Sequence, residues 1–106
     1  MASSEERKRE RVDRPERAVM RLSPPDNVAV ALRPLKAGET VTLDGVALTV
    51  NRNIPVGQKL AARAIEKGEL ILKYSCPIGI ATVAIKAGEY LHAGNVETRY
   101  GSTLDR

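Results

Sequence analysis

Four stretches of this chain carry nearly the same pattern, and that pattern limits what the chain can fold into. Leu35-Lys36-Ala37-Gly38-Glu39-Thr40-Val41, Ile54-Pro55-Val56-Gly57-Gln58-Lys59-Leu60, Ile65-Glu66-Lys67-Gly68-Glu69-Leu70-Ile71 and Ile85-Lys86-Ala87-Gly88-Glu89-Tyr90-Leu91 each read aliphatic, two variable residues, Gly, Glu or Gln, any residue, apolar. Glycine accepts a positive φ at no steric cost, so each copy predicts a tight turn ending in the left-handed region. The aliphatic residues on either side then anchor both flanks in a core. Pro55, with its fixed φ, suits the first corner of a type I turn. Four of the eight glycines are used this way, which predicts a compact, turn-rich, mainly β fold. The glycines lie 19, 11 and 20 residues apart, giving a long arm, a short link and a second long arm. A solenoid would keep one constant period. Two related halves folded against each other fit this spacing better.

The 106 residues suit one domain, and 42% hydrophobic residues supply a small core. With no Phe or Trp and three Tyr, that core must be built from Val, Leu, Ile and Ala. The net charge of +4 alone would permit a nucleic-acid partner. Its distribution argues against one: the first twenty residues mix six basic with five acidic side chains, which makes no phosphate-tracking stripe. The surplus suits an anionic small molecule or an acidic protein surface equally well. The single cysteine, Cys76, excludes an intrachain disulfide and points to a reducing, cytoplasmic setting. No apolar run reaches membrane-spanning length and no signal peptide opens the chain, so no membrane partner is expected.

Residues 1–18 are polar and charged without apolar periodicity, and read as a disordered tail; residues 19–106 read as the folded domain. Val19–Leu22 predicts a first strand, broken by Ser23-Pro24-Pro25-Asp26. Asn27–Leu32 is apolar on both faces and predicts a doubly buried strand. Thr40–Leu43 and Val46–Val50 flank Asp44-Gly45, a strong hairpin signal. Gln58–Ile65 is rich in helix formers, with Leu60, Ala61, Ala64 and Ile65 on one helical face, and predicts one short helix. Glu69–Tyr74, Pro77–Ala84 and Tyr90–His92 predict the remaining strands. No metal-binding Cys/His cluster, phosphate-binding glycine loop or nucleophile elbow is present. With one His and one Cys, the chain is poorly equipped for catalysis alone.

The segments Asp26–Leu32, Ile54–Lys59, Lys73-Tyr74 with Pro77–Thr82, and His92-Ala93-Gly94-Asn95 occur in order. Together they resemble the SAF-type domain of the altronate/galactarate dehydratase family, and the small subunit of the related sulfolactate sulfo-lyase looks similar. The resemblance covers about residues 19 to 98. It implies a β-clip fold of two related halves, and an enzyme split into a small SAF part and a larger catalytic part. A chain ending at Arg106 resembles the separate small subunit, inactive without its large partner. The implied reaction is a hydro-lyase dehydration of an anionic sugar acid. A base removes the proton α to the carboxylate, hydroxide leaves the β carbon, and cations or a metal support the carbanion. A divalent metal, iron or manganese, would be held mainly by the partner.

In the family pattern, His-x-His-Asn closes the domain; here it is His92-Ala93-Gly94-Asn95. Ser23, Gln58 and Gly94 stand where the family often has histidine. His92 is therefore the candidate catalytic residue, as base or ligand. Asn95 would orient it or bind a substrate hydroxyl. Lys73 and Lys59 could pair with a substrate carboxylate as point charges, and Asp26 and Asn27 could bind substrate or serve a turn. Cys76 has no activating pattern around it. The rival expectation is a non-catalytic SAF binding or assembly module; a weaker third is a small anion-binding protein acting alone.

Overall fold

The computed structural model describes residues 17–98. Of the tail expected over residues 1–18, residues 1–16 lie outside the described residues, as does everything beyond Thr98. Among the described residues there are eight short strands: β1 (Val19–Met20), β2 (Val28–Ala31), β3 (Thr40–Leu43), β4 (Val46–Thr49), β5 (Lys59–Ala61), β6 (Leu70–Lys73), β7 (Cys76–Ala81) and β8 (Val96–Glu97). They form three small antiparallel sheets, in the orders β1-β2-β5, β3-β4 and β6-β7-β8. Ala18, inside the expected tail, is buried and its carbonyl accepts from the Leu32 N–H.

The four glycine turns build the frame. Their φ values are 85, 86, 87 and 91° at Gly38, Gly57, Gly68 and Gly88. In each, the following N–H donates to the carbonyl three residues back: Glu39 to Lys36, Gln58 to Pro55, Glu69 to Glu66 and Glu89 to Lys86. Glycine is thus the third residue of a type II turn. Pro55 sits at the first position and supplies the accepting carbonyl; Val56 takes the first corner. The expected type I placement of Pro55 is corrected by that hydrogen bond.

The turns join in pairs. Leu35 and Ile54 exchange two backbone hydrogen bonds of 2.9 Å, and Ile65 and Ile85 exchange two of 2.8 Å. A second set of bonds locks each turn onto its partner arm. Gly57 donates to Ala31 and Ala31 to the Gln58 carbonyl; Gly38 donates to Val50 and Val50 to Glu39. The second half repeats this with Gly88, Ala61 and Glu89, and with Gly68, Ala81 and Glu69. Ala31, Val50, Ala61 and Ala81 each precede by four residues the aliphatic that opens a turn. All four are buried. The long arms of the sequence are therefore the two intra-half pairings.

The expected helix over 58–65 is not there; among the described residues there is no helix. Its centre is β5, which pairs with β2 at Ala29↔Leu60 and Val28↔Ala61. Leu60, fully buried, enters one core with Ala29 and Ala31, while its neighbour Ala61 enters the other with Val28. That alternation is a strand's period of two, and Ala64, expected on the apolar helical face, is exposed. Pairing to β2 and burial of both faces override the modest helix preference of the segment. The β1-β2-β5 sheet thus lies between both cores, which explains the continuous apolar run in β2. Elsewhere Thr40–Leu43 is found with its expected bounds, the other expected strands are shorter, and Tyr90–His92 is reduced to a single bridge from Tyr90 to Leu60.

The halves also share an ion pair: Arg33 with Glu39 and Arg63 with Glu69. Each arginine holds its partner carboxyl below the usual carboxylate range, aided by the Lys36 or Glu66 backbone N–H. A depressed folded-state pKa contributes stability above about pH 4.5, the ordinary value, which is lost as the pH falls through the lower value in the folded protein. We expect the melting temperature to drop on acidification through that window, and to drop less in the R33A/R63A double variant. Both pairs are partly exposed, so added salt should shrink the difference between the two proteins.

Candidate functional site

A groove of about 360 Å³ opens where the halves meet. Ile71, Ile78 and Val96 give it an apolar wall. Its polar lining comes from Gln58 and Lys59 at the start of β5, from Tyr90 and His92 after the last glycine turn, and from Thr98. The antiparallel bridge between Leu60 and Tyr90 brings these two stretches together. Two residues from the long arm of the first half brace Tyr90: Asn51 Oδ1 accepts from its N–H at 3.0 Å, and the Arg52 guanidinium lies 5.7 Å from its ring centroid. The Tyr90 and His92 rings follow at 5.7 Å, tilted by 42°.

His92 is held from below by Asn95. The His92 N–H donates to Asn95 Oδ1 at 2.9 Å, the Asn95 Nδ2 donates to the Tyr90 carbonyl at 2.9 Å, and the N–H groups of Asn95 and Val96 both donate to the His92 carbonyl. Asn95 is buried and both ends of its amide are engaged by backbone. The turn over 92–95 thus presents the ring, whose Nδ1 accepts from the Gly94 N–H at 3.0 Å.

Of the sequence candidates, His92 and Lys59 line the groove and Asn95 lies buried beneath His92, while Asp26, Asn27 and Lys73 lie elsewhere. Asp26 is buried, and its carboxylate accepts from the N–H groups of Ser23, Tyr74 and Ser75 at 3.0, 2.9 and 2.7 Å. The fully buried Asn27 pairs its amide with the edge of β6, donating to the Leu70 carbonyl and accepting from the Leu72 N–H, both at 2.8 Å. Lys73 ends β6 opposite Cys76, next to the turn that Asp26 holds. Of the three positions where histidine is expected from the family pattern, Gln58 lines the groove and Gly94 touches the His92 ring. Ser23 lines a separate depression with Arg21 and Asp44. Sequence reasoning passed over Tyr90, Arg52 and Asn51 as site residues; only the chain's return to the groove edge unites them.

A divalent cation does not fit the residues present. Among the described residues no three His, Cys, Asp or Glu side chains come together. In the groove the one imidazole has Nδ1 engaged, and its neighbours Lys59 and Gln58 bring an ammonium and an amide rather than a carboxylate.

Short strands, paired glycine turns and two cores sharing one sheet define a β-clip domain with a mixed polar and apolar groove at the junction of its halves. The chain belongs to the SAF-domain family of the altronate/galactarate dehydratases, which it matches over residues 17–99. It is 42% identical over 81 residues to altronate dehydratase of Escherichia coli, covering 76% of this chain and 16% of that protein. Altronate dehydratase of Bacillus subtilis is 40% identical over 73 residues, covering 69% and 15%. The alpha subunit of (2R)-sulfolactate sulfo-lyase from Chromohalobacter salexigens is 44% identical over 46 residues, covering 43% of this chain and 49% of that subunit. The chain therefore spans about one sixth of the length of the dehydratases it matches. No described helix is long and apolar enough to cross a membrane.

Proposed function

We propose that this domain is the small component of a sugar-acid dehydratase-type hydro-lyase and completes the active site of a larger catalytic component through the groove beside His92. The observation that carries the reading is that His92 and Lys59, from different halves, line one open groove, in a domain whose relatives are segments of altronate dehydratases. The likeness to a sulfo-lyase alpha subunit supports a separate small chain working with a larger one. The substrate would be an anionic polyhydroxy acid of the altronate or galactarate type.

Within the groove, Lys59 supplies positive charge toward a carboxylate and the His92 ring a directed polar contact; the apolar wall of Ile71, Ile78 and Val96 limits water around both. Hydrogen bonds and charge aimed at the carboxylate gain strength as carbanion character spreads into it, which favours removal of the α proton. The proton acceptor, and any iron or manganese ion, belong in this reading to the larger component.

The test is co-expression with a dehydratase-type large subunit and assay of water loss from altronate and galactarate. H92A should lower turnover on the order of 10²-fold while complex formation is unchanged. Equal loss of both would make His92 a structural part, and assembly without any dehydration would favour a binding module.

A further inference from the structure

Gly94 is the residue that decides what His92 can do. A backbone N–H only donates, so the 3.0 Å contact from Gly94 to Nδ1 requires a lone pair there. The neutral ring then carries its proton on Nε2, the nitrogen left for a ligand. Gly94 is also the only residue type that tolerates the ring so close. A Cβ built on it would stand 2.7 Å from Cε1 and 2.9 Å from Nδ1 of His92, below any ordinary contact. The bond and the ring position are therefore properties of glycine at this place.

We propose that Gly94 is a positioning residue that locks His92 as an Nε2–H donor, so that the groove receives an oxyanion and His92 acts as neither general base nor metal ligand through Nε2. Either of those roles needs a lone pair on Nε2, and the proton would then sit on Nδ1, facing the Gly94 N–H donor to donor. The other polar groups lining the groove agree with this. Lys59 is a donor only, and Gln58, Tyr90 and Thr98 can each donate. The inference concerns the groove named in the proposed function, but rests on no particular substrate and needs no partner chain.

The experiment is ¹⁵N NMR of the imidazole in the isolated chain, at a pH of about 8.5 where an ordinary imidazole is neutral. His92 is the only histidine, so its signals are unambiguous. We expect a lone-pair nitrogen at Nδ1 and a protonated one at Nε2, each at its limiting shift. In G94A both shifts should move toward the averaged values of a free imidazole, and the coupling of the ring to Tyr90 should vanish. Acetate serves as the probe of the oxyanion site. Its binding should weaken about tenfold in H92A, the effect of one hydrogen bond to a charged group, and weaken in G94A as well. A proton found on Nδ1, or a G94A protein with unchanged ring shifts, overturns the proposal. Acetate binding that is indifferent to both substitutions overturns the oxyanion role even if the tautomer is as stated. None of these outcomes depends on dehydratase activity, so they are separable from failure of the functional reading.

Discussion

Replacing Gly88 by alanine should destabilise this domain far more than the same change at Gly38, Gly57 or Gly68. All four glycines have φ near 85–91°, so each substitution meets the same left-handed backbone strain, roughly 1–2 kcal/mol. At Gly38, Gly57 and Gly68 a new Cβ would point into open space. At Gly88 it would lie 2.2 Å from the Thr49 carbonyl oxygen and 2.9 Å from the Thr49 carbonyl carbon. Backbone cannot swing away as a flexible side chain would. Thr49 ends β4, and Gly88 is pinned on its other side by its bond to the Ala61 carbonyl. Overpacking adds about 1–3 kcal/mol to the strain, so G88A should lose on the order of 4 kcal/mol where G68A loses about 1–2. A domain of this size has only about 5–15 kcal/mol in all. Urea unfolding of the two variants side by side is the check. Equal losses would mean that the last turn does not seat on β4 as described.

Asp26→Ala is the second large effect, and it should appear as lost folding rather than as selective loss of ligand binding. The buried carboxylate is the shared acceptor for three N–H groups, two of them in the Tyr74-Ser75 turn 48 and 49 residues away. Those two residues have φ of 54 and 63° without being glycine. Such conformations persist only where the surroundings enforce them, at about 1–3 kcal/mol each. Removing the acceptor leaves the donors unpaired and releases the turn, for a loss of roughly 3–5 kcal/mol. Asp26→Asn keeps the shape but turns one oxygen into a donor facing an N–H, and should cost about half as much. Chemical denaturation of both variants, with altronate binding measured well below the midpoint, separates the roles. A D26A protein of unchanged stability that binds altronate weakly would make Asp26 a ligand residue.

The glycine turns were legible because their requirement is local: the third residue of a type II turn, with φ near 85–91° here, favours glycine whatever surrounds it. The division into two halves followed from the glycine spacing, and the Asp44-Gly45 hairpin, whose residues have φ of 52 and 81°, from its dipeptide. The helix expected over 58–65 failed because Leu60 and Ala61 are sorted by two cores on opposite faces of one sheet, a condition set by distant chain. The Tyr74-Ser75 turn carries no glycine or asparagine and was invisible for the same reason: its conformation is imposed by Asp26. Asp26 and Asn27 drew attention through the family-like segment they open, but their partners are backbone groups, which leave no mark in a sequence. His92 was found through its motif. The departure from that motif at Gly94 is what gives the ring its present place.

The most direct test of the account is hydrogen exchange on the chain alone and in complex with a dehydratase-type large subunit under turnover conditions. Burial of the groove predicts slowed exchange at Gln58, Lys59 and the 90–96 turn once the partner is bound. An active complex in which those amides exchange as fast as in the free chain would contradict it, because the groove would then be open to water while the chemistry proceeds elsewhere.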